Sequence, residues 1–597
     1  MSSTELGALP RPSTAAPALP AILIAAVVQG WALYGLHQAI VAHHWPATHR
    51  GWLLGLYALT VLAPATLQLL VEHIRKPPLW VLVAVIGGLA FYFGWHYGTA
   101  VADQTVAPGT TPFDFFSLGF VLLVWWLLVL PFTQNRLVAG RWTVDYRLLF
   151  VHAWRNILAL AEAALFTGLF WLILELWQTL FYMLGIGFFR ELFEKPIFVY
   201  PVTSIVFGCA LHLIGSVDRL ISAVLEQILN VLKWLATVAG VLLTLFTIAL
   251  VFKLPGLVAS GSRAIGAGWL LWLLAVVVLF LNAAYRDGTA EQPYPRWIGQ
   301  ALRYSVPLTI IVSLTAFYGL GVRTAHYGLT VERVWAFVVA GAAFLYAIGY
   351  SIAALHGGRW LGGIARVNVV VALALIAMLA AALSPLLSPY RLTADSQFAR
   401  ALVERYGAGA PSGAATAAMR ALRFNAGRYG RERLSMLAEI QGRSDADQLR
   451  ALAAQMLAQK WPWETSPALD PKSIIAKLPI YPAGRTLDPG LAAVLAKDWN
   501  KPEMALFSMS ARNLEAAGLF ADLDGDGVDE FILLTPRGGP VYQVRTGRWE
   551  YIGDLQGPWS NWSDVLAQLA RGNTATTVPQ WRDLTLGSHR FRVTSRP

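Results

Sequence analysis

The stretch ILALAEAALFTGLFWLILELWQTLFYML, residues 157–184, decides the fold class of this chain. Glu162 and Glu175 are its only charged residues, and most of the others are Leu, Ala, Phe or Trp. A helix of about 20 apolar residues is enough to cross the hydrocarbon core of a bilayer, which is about 30 Å thick. The stretch therefore predicts a long membrane-spanning helix.

Ten further apolar stretches of suitable length lie on either side of it, at residues 20–41, 51–71, 78–99, 114–132, 197–216, 228–252, 264–285, 303–321, 334–355 and 361–387. Together they predict an all-α polytopic membrane bundle with about eleven transmembrane helices. The composition agrees, because the 597 residues are 56% hydrophobic and only 14% charged. Soluble domains contain about 25% charged residues, so an ordinary cytosolic enzyme and a disordered protein are both excluded.

The charged residues are concentrated in the last third of the chain. They make up about 9% of residues 1–388 but about 22% of residues 389–597, which is close to the composition of a soluble domain. Helical periodicity predicts short amphipathic helices in residues 389–460, and short alternating strands predict a small antiparallel sheet after them. We therefore expect a transmembrane domain at 1–388, a helical segment outside the membrane at 389–460 and an α+β domain at 461–597.

The basic residues in the predicted loops indicate an orientation. With the N-terminus in the cytoplasm, 13 Arg and Lys residues fall in inside segments and 7 in outside loops, which is the bias that multi-pass proteins show. Eleven crossings then put the C-terminal tail outside the cytoplasm. The net charge of +11 reflects this bias, so the expected partners are the bilayer and an envelope protein, and no nucleic acid.

The sequence DLDGDGVDE, residues 522–530, contains the sharpest metal-ligand pattern in the chain. Oxygen ligands at alternate positions can surround a hard cation, and Gly527 permits the sharp turn between them. The predicted ligands are the side chains of Asp522, Asp524, Asp526 and Glu530 and the carbonyl of Val528. An EF-hand has Glu at its twelfth position, where this chain has Leu533, so the loop resembles a single copy of the shorter integrin-propeller calcium loop. The alternative is a solvated Asp-rich turn that binds calcium weakly or not at all.

Glu162 and Glu175 are candidate functional residues because ionisable groups are expensive at membrane depth. They lie 13 residues apart, which is about 20 Å along a helix, so they cannot form one carboxylate pair. Each either faces a bundle interior, as a proton or ion pathway would require, or lies near the membrane interface.

Three stretches carry a resemblance to a known family: FWLILELWQTLFYMLGIGFFRELF (170–193), RTAHYGLTVERVW (323–335) and LRFNAGRYGRERLSML (422–437). Over about residues 160–440 the chain resembles the bacterial multi-pass membrane family named domain of unknown function 4153. The resemblance implies a protein of the bacterial inner membrane and no known activity. Together with the orientation given by the basic residues, it implies that the helical segment 389–460 and the α+β domain 461–597 are periplasmic. The second stretch supplies four further candidate residues, Arg323, Tyr327, Thr330 and Arg333. They could meet phosphate groups, or Thr330 could cap the next helix after a turn at Gly328.

The sequence contains no nucleotide-binding loop, dinucleotide fingerprint, zinc-protease motif or nucleophile elbow. We therefore expect no catalytic residues and no nucleotide, haem or flavin. The favoured function is a non-enzymatic envelope sensor, scaffold or binding protein with a calcium-stabilised tail. The alternatives are a secondary transporter that uses the helical bundle and a membrane enzyme that acts on lipid or glycan.

Overall fold

The computed structural model describes residues 18–102, 113–142, 144–215, 218–259, 266–288, 293–356, 360–403, 413–459, 475, 478–498, 516–535, 539–555, 562–572, 584–586 and 589–591. The chain divides into two compact units, Met1–Pro462 and Trp463–Pro597.

The first unit is helical throughout its described part. Its helices are α1 (Ala18–Val41), α2 (Arg50–Leu69), α3 (Pro77–Ala100), α4 (Phe113–Ala139), α5 (Tyr146–Met183), α6 (Phe188–Glu194), α7 (Pro196–Gly215), α8 (Asp218–Ala259), α9 (Ala267–Tyr285), α10 (Arg296–Ser305), α11 (Leu308–Tyr327), α12 (Val331–Leu355), α13 (Ile364–Ala382), α14 (Pro389–Val403), α15 (Gly413–Phe424), α16 (Gly427–Ala438) and α17 (Ala446–Ala458).

Eleven helical stretches in the described residues are long and apolar enough to cross a membrane. They are α1 to α5, α7 to α9, α10 with α11, α12 and α13, so the eleven long apolar helices predicted from the sequence are confirmed. Two of them are much longer than predicted, since α5 has 38 residues and α8 has 42. A 38-residue helix is about 57 Å long, so α5 extends well beyond a hydrocarbon core of about 30 Å.

Glycines allow α2 and α3 to pack closely. Gly51 and Gly55 on α2 face Gly94 and Gly98 on α3, so each helix presents two glycines four residues apart. A Cβ atom at Gly94 would lie 2.5 Å from the carbonyl oxygen of Leu54. Small residues at this spacing let two helix backbones approach each other in a membrane, where the hydrophobic effect does not drive helix association.

Helices α14 to α17 form a group with a core of their own in the same compact unit as the spans. Met419, Leu422, Leu434, Leu437 and Leu449 are fully buried in this core. The group also contacts the spanning helices, with α14 packed against α12 and α16 against α3.

The second unit contains a five-stranded sheet. In spatial order its strands are β1 (Ile480–Tyr481), β2 (Ala517–Ala521), β3 (Glu530–Leu534), β4 (Gly539–Arg545) and β5 (Arg548–Leu555). Strands β2 to β5 are antiparallel, as predicted, but β1 pairs with β2 in parallel. The prediction of an antiparallel sheet is thus wrong in one strand, because β1 reaches β2 through a long connection instead of a hairpin turn.

Helices contribute to the packing on both faces of this sheet. Phe520, Phe531 and Leu533 lie in a core with Leu491 and Leu495 of the helix Pro489–Asp498. On the other face, residues of β2, β3 and β4 pack against the helix Trp562–Ala570. A separate antiparallel pair follows, β6 (Leu584–Leu586) with β7 (His589–Phe591).

Candidate functional site

The acidic loop 522–530 connects strands β2 and β3. Asp522 follows the last residue of β2, and Glu530 is the first residue of β3. Antiparallel pairing sets Glu530 directly opposite Ala521, so the two ends of the loop meet. The strand register therefore brings residues that are eight positions apart in sequence to one place.

Three carboxylates converge in this loop. Asp522, Asp524 and Glu530 each offer one oxygen, and these oxygens all lie within 4.8 Å of one another. Asp524 is exposed and Asp522 is half-buried, whereas the Glu530 residue is only 1% exposed. Like charges at this distance repel one another, so a cation between them would be favourable.

Backbone N–H groups of the loop hold the carboxylates in position. Asp522 accepts hydrogen bonds from the nitrogens of Gly525 at 2.6 Å and Gly527 at 3.0 Å, and Glu530 Oε2 accepts one from Leu523 at 2.7 Å. The φ angles of Gly525 and Gly527 are +81° and +85°, a region that L side chains rarely adopt. The glycines in the sequence pattern thus permit the conformation that brings the acidic side chains together.

The structure does not bring all five predicted ligands together. Asp526 accepts a hydrogen bond from the Val528 nitrogen at 2.8 Å and lies outside the group of three. Val528 is exposed, and its neighbour Asp529 forms an ion pair with Arg485.

Gln543 on β4 belongs to the site, although no pattern in the sequence indicates it. Its Nε2 atom donates to Asp524 Oδ2 at 2.7 Å and to Glu530 Oε1 at 3.1 Å. The amide N–H groups therefore lie between two carboxylates. A half-turn of the amide would present its oxygen there instead, which is a ligand that a hard cation accepts.

The stretch around Tyr327 forms the turn between α11 and α12. Gly328 ends α11 with a φ of +72°, and the Thr330 hydroxyl accepts a hydrogen bond from the Arg333 nitrogen at 3.4 Å as the N-cap of α12. Gly328 therefore lies in a turn and Thr330 caps the next helix, which is the second of the two roles considered for this stretch. The Arg333 guanidinium also donates to the Gly328 carbonyl and lies 5.6 Å from the centre of the Tyr327 ring.

Arginines surround this turn. Arg323 lies one helical turn before Tyr327 on α11, and Arg400 lies on α14. Both are close enough for their positive charges to act on Arg333, whose neighbour Glu332 partly compensates them. Arg333 contributes to the turn itself, through its contacts to Gly328 and Tyr327.

The two glutamates of α5 lie in different surroundings. Glu162 is half-buried, whereas Glu175 is exposed and accepts a hydrogen bond from Gln178. Glu175 lines a cavity of about 400 Å³ between α5 and α6, and Glu162 does not line it. The structure brings Glu175 close to Gln178 and to Arg190, which is not among the predicted site residues.

Comparison with known proteins gives no further assignment: no family model matches the chain, and no match was found to a curated protein or to a solved structure. The resemblance to domain of unknown function 4153 therefore stays a prediction that rests on the three quoted stretches.

Proposed function

We propose that this chain is a non-enzymatic, multi-pass protein of the bacterial inner membrane whose periplasmic C-terminal unit binds calcium and presents a surface to an envelope partner. The observation that carries the proposal is the convergence of Asp522, Asp524 and buried Glu530 within 4.8 Å. A cation would compensate these charges, and oxygen ligands of this kind suit calcium.

The expected affinity is low. The group supplies three carboxylates on a partly exposed loop, and calcium sites in extracellular modules typically have a Kd of about 10⁻⁴–10⁻³ M. A site of this strength would fill outside the cytoplasm, which agrees with the orientation inferred from the basic residues.

A bound ion would stabilise the sheet. Asp522 directly follows β2, and Glu530 is the first residue of β3. Gln543 of β4 donates hydrogen bonds to Glu530 and to Asp524 in the loop between these two strands. Calcium in this loop would fix the relative positions of three strands, so we assign it a structural role in the C-terminal unit.

The test is calcium binding by the purified full-length protein in detergent. Equilibrium dialysis is expected to find one site per chain that is lost in Glu530→Gln, which keeps the side-chain shape but removes the charge. The control is Asp554→Asn, because Asp554 is an exposed acidic residue of β5 outside the group. No binding at calcium concentrations up to about ten times the range of extracellular modules would overturn the proposal, as would equal binding by wild type and Glu530→Gln.

A further inference from the structure

A cavity of about 400 Å³ lies between the second half of α5 and the short helix α6. Helix α5 contributes Trp171, Glu175, Gln178 and Tyr182, and α6 contributes Arg190 and Glu194. The loop 184–195 joins two helices that are long and apolar enough to cross a membrane, so α6 lies where the chain leaves the bilayer. The cavity therefore combines polar groups and aromatic rings near the membrane surface, where lipid headgroups lie.

The surroundings of the cavity are apolar. Around Glu175, the side chains of Leu172, Ile173, Leu176 and Leu180 are each more than half exposed. In a membrane such a helix surface faces lipid chains, where a carboxylate is unfavourable unless it is neutralised or paired. Glu175 is thus a charge that needs a partner in its native surroundings.

The cavity has one more negative group than positive. Arg190 pairs with Glu194 at 3.2 Å and lies 5.3 Å from the centre of the Tyr182 ring. The hydrogen bond and the charge of Glu194 raise the pKa of Arg190, and the charge of Glu175 acts in the same direction. Glu175 itself receives a hydrogen bond from the neutral amide of Gln178, so the one positive charge of Arg190 is shared between two carboxylates.

Gln178, which lines the cavity, has an unsatisfied hydrogen-bond acceptor. Gln178 Oε1 is buried and has no hydrogen-bond partner in the described part of the chain. A buried carbonyl without a donor costs free energy that a bound N–H group would recover. The carboxylate of Glu175 and the carbonyl of Gln178 lie one helical turn apart, and both accept hydrogen bonds.

We propose that this cavity binds the primary ammonium group of an amphipathic ligand, and that the ligand is the ethanolamine headgroup of a membrane phospholipid. The ammonium would donate to Glu175 and Gln178, with the rings of Trp171 and Tyr182 beside it. The phosphate would lie toward Arg190, and the acyl chains would follow the exposed leucines of α5. A choline headgroup carries no N–H donor and cannot satisfy Gln178, so the site discriminates between the two lipids.

The experiment measures which lipid stays bound to the full-length protein. Protein in nanodiscs of equal parts ethanolamine and choline phospholipid, with identical acyl chains, is transferred to detergent, and the retained lipids are quantified by mass spectrometry. Wild type is expected to enrich the ethanolamine lipid about tenfold, the effect of a hydrogen bond to a charged group. Glu175→Gln and Gln178→Leu are each expected to reduce the enrichment severalfold.

The matched control is Glu162→Gln, which removes a carboxylate from the same helix but outside the cavity. It is expected to retain the enrichment. Glutamine keeps the shape of the glutamate side chain, and the elution volume of each variant checks that the protein is folded. Equal retention of both lipids by wild type would overturn the proposal, and so would an unchanged ratio in Glu175→Gln or an equal loss in Glu162→Gln.

Soluble phosphoethanolamine distinguishes the two sources of the ammonium group. At millimolar concentration it is expected to leave the bound lipid in place, because it lacks the acyl chains that contact α5. Complete displacement at that concentration would overturn the assignment to a lipid and identify the soluble compound as the ligand.

Discussion

Gln397 of α14 donates hydrogen bonds from Nε2 to the backbone carbonyl of Tyr327 at 2.9 Å and to that of Leu329 at 2.8 Å. Its neighbour Ser396 accepts a hydrogen bond from the Leu329 nitrogen at 2.9 Å. The turn between α11 and α12 is therefore held by side chains that come almost 70 residues later in the chain. This relationship ties the spanning helices to the amphipathic helices of residues 389–460.

Replacing Gln397 by Ala is expected to destabilise the protein. Gln397 is 2% exposed, and its loss would remove two partly buried hydrogen bonds, each of which contributes about 0.5–1.5 kcal/mol to stability. The measurement is the free energy of unfolding of the full-length protein in mixed micelles. The control is Gln441→Ala at an exposed position, and an equal effect of both substitutions would contradict the role of Gln397.

The close approach of α2 and α3 predicts a second effect. Gly98→Ala would place a Cβ atom 2.5 Å from the Arg50 carbonyl oxygen, so the two helices must separate at a cost of about 1–3 kcal/mol. Gly88→Ala on the same helix meets nothing within 4 Å and is the control. The thermal midpoint in detergent is expected to fall for Gly98→Ala only, and a matching fall for Gly88→Ala would point to glycine content instead of helix contact.

Substitution of Gln543 tests the calcium proposal, because Gln543 and a bound calcium ion would contact the same carboxylates, those of Asp524 and Glu530. Gln543→Leu removes the N–H groups between Asp524 and Glu530, so the C-terminal unit is expected to lose about 1–3 kcal/mol of stability without calcium. Calcium would supply the missing positive charge, and the difference from wild type is expected to shrink when it is added. Hydrogen exchange of residues 516–545 measures this effect within the full-length protein.

The control for this experiment is magnesium at the same concentration. Magnesium requires near-ideal octahedral geometry and loses its water ligands reluctantly, so it is expected to restore much less stability than calcium. If calcium does not alter the exchange of either protein, the loop is the solvated Asp-rich turn that the sequence left open.

The long apolar helices could be predicted because hydropathy over about 20 residues is a local property. The start of α5 at Tyr146 could not be predicted in this way, because a helix can continue into polar residues after it leaves the bilayer. Its first turn is Tyr146-Arg147-Leu148-Leu149, with the Asp145 carboxylate as N-cap accepting from the Arg147 nitrogen at 3.0 Å. Hydropathy detects the membrane, whereas the cap determines where the helix begins.

In the candidate sites too, the residues in local sequence patterns could be predicted, whereas the residues from distant elements could not. The Asp-rich loop and the cap at Thr330 lie in short sequence patterns, so their residues could be named in advance. Gln543 and Gln397 lie on other elements and reach the loop and the turn through strand register and helix packing. The parallel pairing of β1 with β2 also depends on such distant contacts, which no local pattern encodes.

The orientation of the chain is the last prediction, and the single cysteine makes it testable. With Cys209 replaced by Ser, a cysteine at exposed Arg75 lies in a predicted cytoplasmic loop, and one at exposed Asp554 lies in the predicted periplasmic tail. A membrane-impermeant maleimide applied to spheroplasts is expected to label Asp554→Cys and to leave Arg75→Cys unlabelled until the membrane is permeabilised. Both positions are exposed, so access across the bilayer is what decides labelling. The reverse pattern would place the tail in the cytoplasm, where free calcium is too scarce to fill a site with a Kd of about 10⁻⁴–10⁻³ M; the calcium proposal would then fail together with the topology.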